Sequence, residues 1–163
     1  MPTISSLYSD LGVFRRAERN QLRRNHGYYS ARSGLAGEVD AAVVLGGPVE
    51  AAFTGAGPTK FGMAGIVGNA LGFDAPPKPD ELSPLFADFT LRPLLDRDTN
   101  APMLVINGAD DVHVPQHDTL VFDGRRDTVV ELIADAPHCA TTKLPEVFST
   151  MLGWLGSTLA VAV

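Results

Sequence analysis

Two short apolar runs, Met103–Asn107 (MLVIN) and Thr128–Ile133 (TVVELI), constrain this chain more than any other feature. Each is rich in β-branched residues and too short for a core helix, so each reads as a buried strand. The turn formers Gly108-Ala109-Asp110-Asp111 break the first run and bring two carboxylates out at its C-terminal end. After Pro115 the chain can form a short helix before the second run begins. Parallel strands need a crossover of at least about 10–12 residues, and the segment between the runs is long enough for one. The expected unit is therefore βαβ in a parallel α/β sheet, whose sites lie at the C-terminal ends of the strands.

The same edge receives a histidine, because Pro137-His138-Cys139 follows the second run directly. A carboxylate accepting from one imidazole nitrogen fixes the tautomer and leaves the other nitrogen as a general base. Asp111 and His138 are the candidate pair, in the order acid then histidine, with Asp110 the alternative acid. Cys139 reads as a small packing residue rather than a nucleophile, and Gly46 and Gly47 as turn glycines.

Upstream, Val39–Leu45 (VDAAVVL) is a continuous apolar run ending at Gly46-Gly47-Pro48, as expected of a strand covered on both faces. His26–Ala36 reads as a helix before it. Residues 59–90 form a helical insertion, with helices expected over Lys60–Leu71 and Leu82–Phe89 and a Pro76-Pro77-Lys78-Pro79 breaker between them. Leu144–Leu155 spaces Val147, Met151, Trp154 and Leu155 on one helix face, and 156–163 reads as a tail. Residues 1–26 form a separate basic segment, with five arginines between Arg15 and Arg24. The fold expected is a partial α/β sheet of three principal strands, Met103–Asn107 in the centre, with covering helices.

A net charge of −6 and a pI near 5 argue against a nucleic-acid partner. No apolar run is long enough to span a membrane, so no membrane partner is expected. A single cysteine excludes an internal disulfide and fits a cytoplasmic protein. There is neither a P-loop nor a GxGxxG, and neither a cofactor nor a metal is expected.

Five stretches carry a resemblance: GYYSAR at Gly27–Arg32, VDAAVVLGGPV at Val39–Val49, LRPLL at Leu91–Leu95, NGADDVHVP at Asn107–Pro115, and HCATTK with the later GWL. Together they resemble the C-terminal half of an α/β-hydrolase, nearest to the esterase-like branch of the fermentation/respiration switch protein, over residues 27–155. The resemblance implies hydrolysis of a small ester, or of a related acyl or C–C bond, with Asp111 as triad acid and His138 as triad base. It departs from the family in two places. Pro137 stands where the glycine before the histidine is usual, and the family's G-x-S-x-G nucleophile turn has no counterpart, Arg24 falling over the serine. Ser30 and Ser33 would sit one or two helical turns beyond that position. The chain thus reads as truncated, with its nucleophile absent or unknown. The alternative is an inactive fragment or interaction module that self-associates or pairs with a partner. Loss of the neighbouring strand would leave the edge of Val39–Leu45 open to self-association, unless the Arg-rich N-terminal segment folds across it.

Overall fold

The computed structural model of the chain describes residues 12–14, 40–86, 91–95 and 101–161. One sheet has the spatial order β1 (Gly12–Phe14), β2 (Ala41–Leu45), β3 (Met103–Gly108), β4 (Thr128–Ile133). β2, β3 and β4 are parallel, with Ala42 opposite Met103 and Met103 opposite Thr128. The three strands read from the sequence lie together, and the Met103 run is central among them.

Side chains alternate across a strand, so a sheet covered on both faces needs apolar residues at every position. β3 comes nearest to this, since all six of its residues are buried and only Asn107 is polar. On one face Ala42, Val44, Met103 and Val105 pack with Val49, Leu91, Leu95 and Phe122. On the other, Ala41, Val43, Leu104 and Ile106 pack beneath Val147 and Leu155 of the long terminal helix. A smaller cluster of Val67, Leu82 and Phe86 holds the insertion together.

The helices are α1 (Met63–Leu71), α2 (Pro79–Phe86), α3 (Gln116–Leu120) and α4 (Leu144–Val161). Three boundaries differ from expectation. Lys60–Gly62 belongs to a kinked 3₁₀ segment, because Phe61 (φ 51) and Gly62 (φ 80) are left-handed and α1 can begin only at Met63. α2 opens on Pro79, where a missing N–H is harmless in a first turn, and Glu81 caps it by accepting from the Lys78 amide at 2.7 Å. α4 continues past Leu155 to Val161, so the expected tail is helical that far. The helix expected over His26–Ala36 and residues 87–89 of the second insertion helix lie outside the described residues.

The edge of β2 is covered in part by the N-terminal segment. β1 pairs antiparallel along Ala41–Val43, the one arrangement under which that edge would not be open. β1 thus occupies the edge of β2 along Ala41–Val43, and Val43 is 2% exposed, its side chain in the core on one face of the sheet. Among the described residues no helix is long and apolar enough to cross a membrane.

Candidate active site

Asp111 sits just beyond β3 on a turn whose amide donates back to Gly108 O. The turn buries the carboxylate, whose side chain is 0% exposed. Oδ1 accepts from the amides of His113 (2.8 Å) and Val114 (3.1 Å), which ties the acid to its own loop. Oδ2 accepts from Asn107 Nδ2 at 2.8 Å and faces His138 Nδ1 at 2.8 Å. Burial alone pushes this carboxyl up. The hydrogen bonds from His138, the Val114 amide, Asn107 and the His113 amide outweigh it and hold Asp111 below the usual carboxylate range. Asp110, the alternative acid, is exposed and has its amide bonded to Ala136 O.

His138 leaves β4 through a tight loop. A carboxylate only accepts, so the contact with Asp111 places a proton on Nδ1. Nε2 then has no partner among the described residues. The hydrogen bond to Asp111 raises the imidazole to about 10, the neighbouring Cys139 adds to the shift, and burial opposes it.

The loop is pressed tightly against the strand ends. A Cβ on Gly46 would lie 2.6 Å from Cys139 Sγ and 2.9 Å from His138 Cε1, and Gly46 has φ +63 as well. It is therefore more than a turn glycine, because any side chain there would displace the histidine. A Cβ on Gly108 would lie 1.9 Å from Pro137 O, so the end of β3 must be bare for the loop to pass. Cys139 (φ 56) and Ala140 (φ 48) are both left-handed. Such strain costs on the order of 1–3 kcal/mol per residue and persists where contacts over-determine it. Here the Cys139 amide donates to Asn107 Oδ1 at 3.0 Å and the Ala140 amide to Pro137 O at 2.8 Å. The Cys139 thiol lies 3.5 Å from Leu45 O, consistent with its reading as a packing residue.

His138 lines a cavity of about 420 Å³, bounded by Leu45–Pro48 after β2, His113 and Val114 after β3, and α1. Three parallel strand ends thus converge on one hollow, as expected in an open α/β sheet. Among the described residues, the wall's only polar side chains are His113 and His138. The two imidazoles meet edge to face with centroids 5.7 Å apart, and Phe61 packs against His113 at 5.5 Å. His113 Nδ1 is buried and has no hydrogen-bond partner among the described residues.

Asn107, His113 and Asp118 were not singled out in the sequence. Asp118 is wholly buried and accepts four backbone amides: Val49 (3.1 Å) and Ala52 (2.9 Å) on Oδ2, Glu50 (3.1 Å) and Ala51 (2.7 Å) on Oδ1. It anchors the cavity wall at Pro48, Ala52 and Phe53 to α3. Arg92 braces the same loop through an ion pair with Glu50. Asn107 was detectable as the one polar residue closing an apolar run. Asp118 was not, because its partners lie 66–69 positions away.

Among the described residues no group of three or more His, Cys, Asp or Glu side chains is placed to hold a metal. Ser30, Ser33 and Arg24 lie outside the described residues. No protein-family model matches the chain, and no curated protein matches it.

Proposed function

We propose that the chain is the acid-and-histidine half of an esterase-like α/β-hydrolase site, cleaving an ester or a related acyl or C–C bond whose apolar part lodges in the cavity. The observation that carries this reading is the 2.8 Å contact of Asp111 and His138 at adjacent strand ends, with His138 lining an apolar hollow. In such a site Asp111 holds the ring so that Nε2 takes the proton of a hydroxyl as its oxygen attacks the carbonyl carbon. The same nitrogen returns that proton to the departing alkoxide, and water then cleaves the acyl intermediate. Among the described residues the cavity lining includes no serine, threonine or cysteine, and the nucleophile is unassigned. A cytoplasmic location is part of the proposal, the single cysteine leaving nothing to form an internal disulfide.

One observation favours a second reading, a catalytically inactive binding or interaction module. With its pKa raised to about 10, His138 carries both ring protons at neutral pH and cannot accept another. Fluorophosphonate labelling of the native product from its source, followed by peptide mass spectrometry, separates the two. The hydrolase reading expects a labelled serine within a G-x-S-x-G segment joined to or associated with this chain, and loss of the label in His138→Ala. A native product that takes up no label and copurifies with no labelled chain supports the module.

A further inference from the structure

We propose that the outer edge of β4 pairs antiparallel with the same edge of a second copy of this chain, centred on Val130, so that one sheet runs through a two-fold dimer. The inference is independent of both readings of function, since it uses the strand's edge and none of the groups of the site. β4 ends the sheet, with β3 on one side and no strand on the other among the described residues. The backbone direction identifies which groups are left over. Asp127 O accepts the Met103 amide and Ile133 O the Ala109 amide, so the odd-numbered residues of β4 turn their N–H and C=O towards β3. Val130 and Leu132 turn theirs outwards, where no hydrogen bond meets them among the described residues.

A row of unpaired strand amides and carbonyls is a template for another strand, and protected edges carry lysine, proline or a bulge. β4 has none of these. Its register with β3 is unbroken from Thr128 to Ile133, and its one charged residue is Glu131. Val129, where a blunted edge would carry a charge, is a β-branched residue 42% exposed.

The strand's own sequence selects the partner. A two-fold axis normal to the sheet keeps equal faces side by side, so two identical strands can pair only odd with odd and even with even residues. Centred on Val130, the register sets Val130 opposite itself as a β-branched pair, Thr128 opposite Leu132 and Val129 opposite Glu131, with no like charges in opposition. Each Val130 N–H then donates to Val130 O of the other copy. Centred on Glu131, the strands would oppose Glu131 to Glu131 and Asp127 to Asp135; centred on Val129, they would oppose Asp127 to Glu131. The Val130 register also brings the Arg125-Arg126 start of one strand alongside Asp135 at the end of the other, where a parallel partner would bring the arginines together. Asp127 is already against Arg126 at 3.2 Å, and Lys143, donating to Ala134 O at 2.8 Å, ends the ladder beyond Ile133.

Sedimentation equilibrium of the full chain at rising concentration tests the proposal. A reversible monomer–dimer equilibrium that stops at the dimer is expected, because an isologous contact uses up the edge. Val129 is exposed, so the monomer should fold with either charge there, and circular dichroism should be unchanged. Val129→Glu sets a carboxylate opposite Glu131 twice per dimer and should raise the dimer Kd at least about tenfold, whereas Val129→Lys sets an ammonium there and should leave the dimer at least as tight. By hydrogen-exchange NMR the Val130 amide should be slow in the dimer and fast in monomeric Val129→Glu. A chain that stays monomeric at every concentration, or a dimer weakened equally by both substitutions or by neither, would overturn the proposal. So would a slow Val130 amide in a monomer, which would mean that residues of the same chain cover the edge.

Discussion

Asn107 ties together three backbone segments that Asp111 and His138 alone would leave loose. Its Oδ1 accepts the Gly108 and Cys139 amides at 2.9 and 3.0 Å, and its Nδ2 donates to Asp111. Those bonds assign the amide orientation without ambiguity, since neither role can be exchanged. Asn107→Ala leaves two amide donors unmet at roughly 1–3 kcal/mol each, so a loss of about 2–6 kcal/mol in urea unfolding is expected. The ion pair beside it makes stability depend on pH. His138 is raised in the folded state, so its contribution is complete below the unfolded value near 6.5 and is lost as pH rises through about 10. Asp111 is lowered, so its contribution is present above the ordinary carboxylate range and lost as pH falls through the folded value. Stability should therefore plateau between about pH 4 and 6.5 and decline towards 10. Thermal unfolding of Asp111→Asn should show that alkaline decline flattened. The acid and the histidine were legible because turn chemistry and strand order place both at one edge. Asn107 and His113 were not, because their roles depend on distances that only the folded loop sets.

At the scale of elements, the loop after β2 owes its shape to one side chain on α3. Asp118 replaces the amide partners that the short 3₁₀ turn Ala51–Phe53 cannot supply for itself. Asp118→Asn keeps one acceptor oxygen and turns an NH₂ group towards two amides, so about two charged hydrogen bonds at roughly 1.5–3 kcal/mol each are lost. Amide exchange at Val49–Ala52 should accelerate by at least about a hundredfold, which hydrogen-exchange mass spectrometry would read. Strands were more legible than helix ends, since short β-branched runs bounded by glycine leave little freedom. The start of α1 was not, because the left-handed residue at 61 is a phenylalanine, a type that carries no such signal.

For the whole molecule, the parallel sheet and its central strand followed from the hydrophobic pattern, whereas β1 did not. A three-residue strand of GVF inside an Arg-rich segment has no periodicity to reveal it, and its place is set by the edge it covers. Val43→Lys, which an open edge would have made a solubilising change, should instead destabilise the core it points into. With neither hydroxyl nor thiol among the described residues of the cavity wall, the purified chain should hydrolyse p-nitrophenyl butyrate no faster than His138→Ala. Stoichiometric fluorophosphonate labelling of Ser30 or Ser33 that depends on His138 would show that a relocated nucleophile works. Both functional readings rest on Asp111 holding His138, and a ¹⁵N NMR titration of the histidine rings measures that directly. His138 should titrate near 10 in the wild-type chain and fall towards 6.5 in Asp111→Asn. A His138 that titrates near 6.5 in both would contradict the pairing on which the site is built.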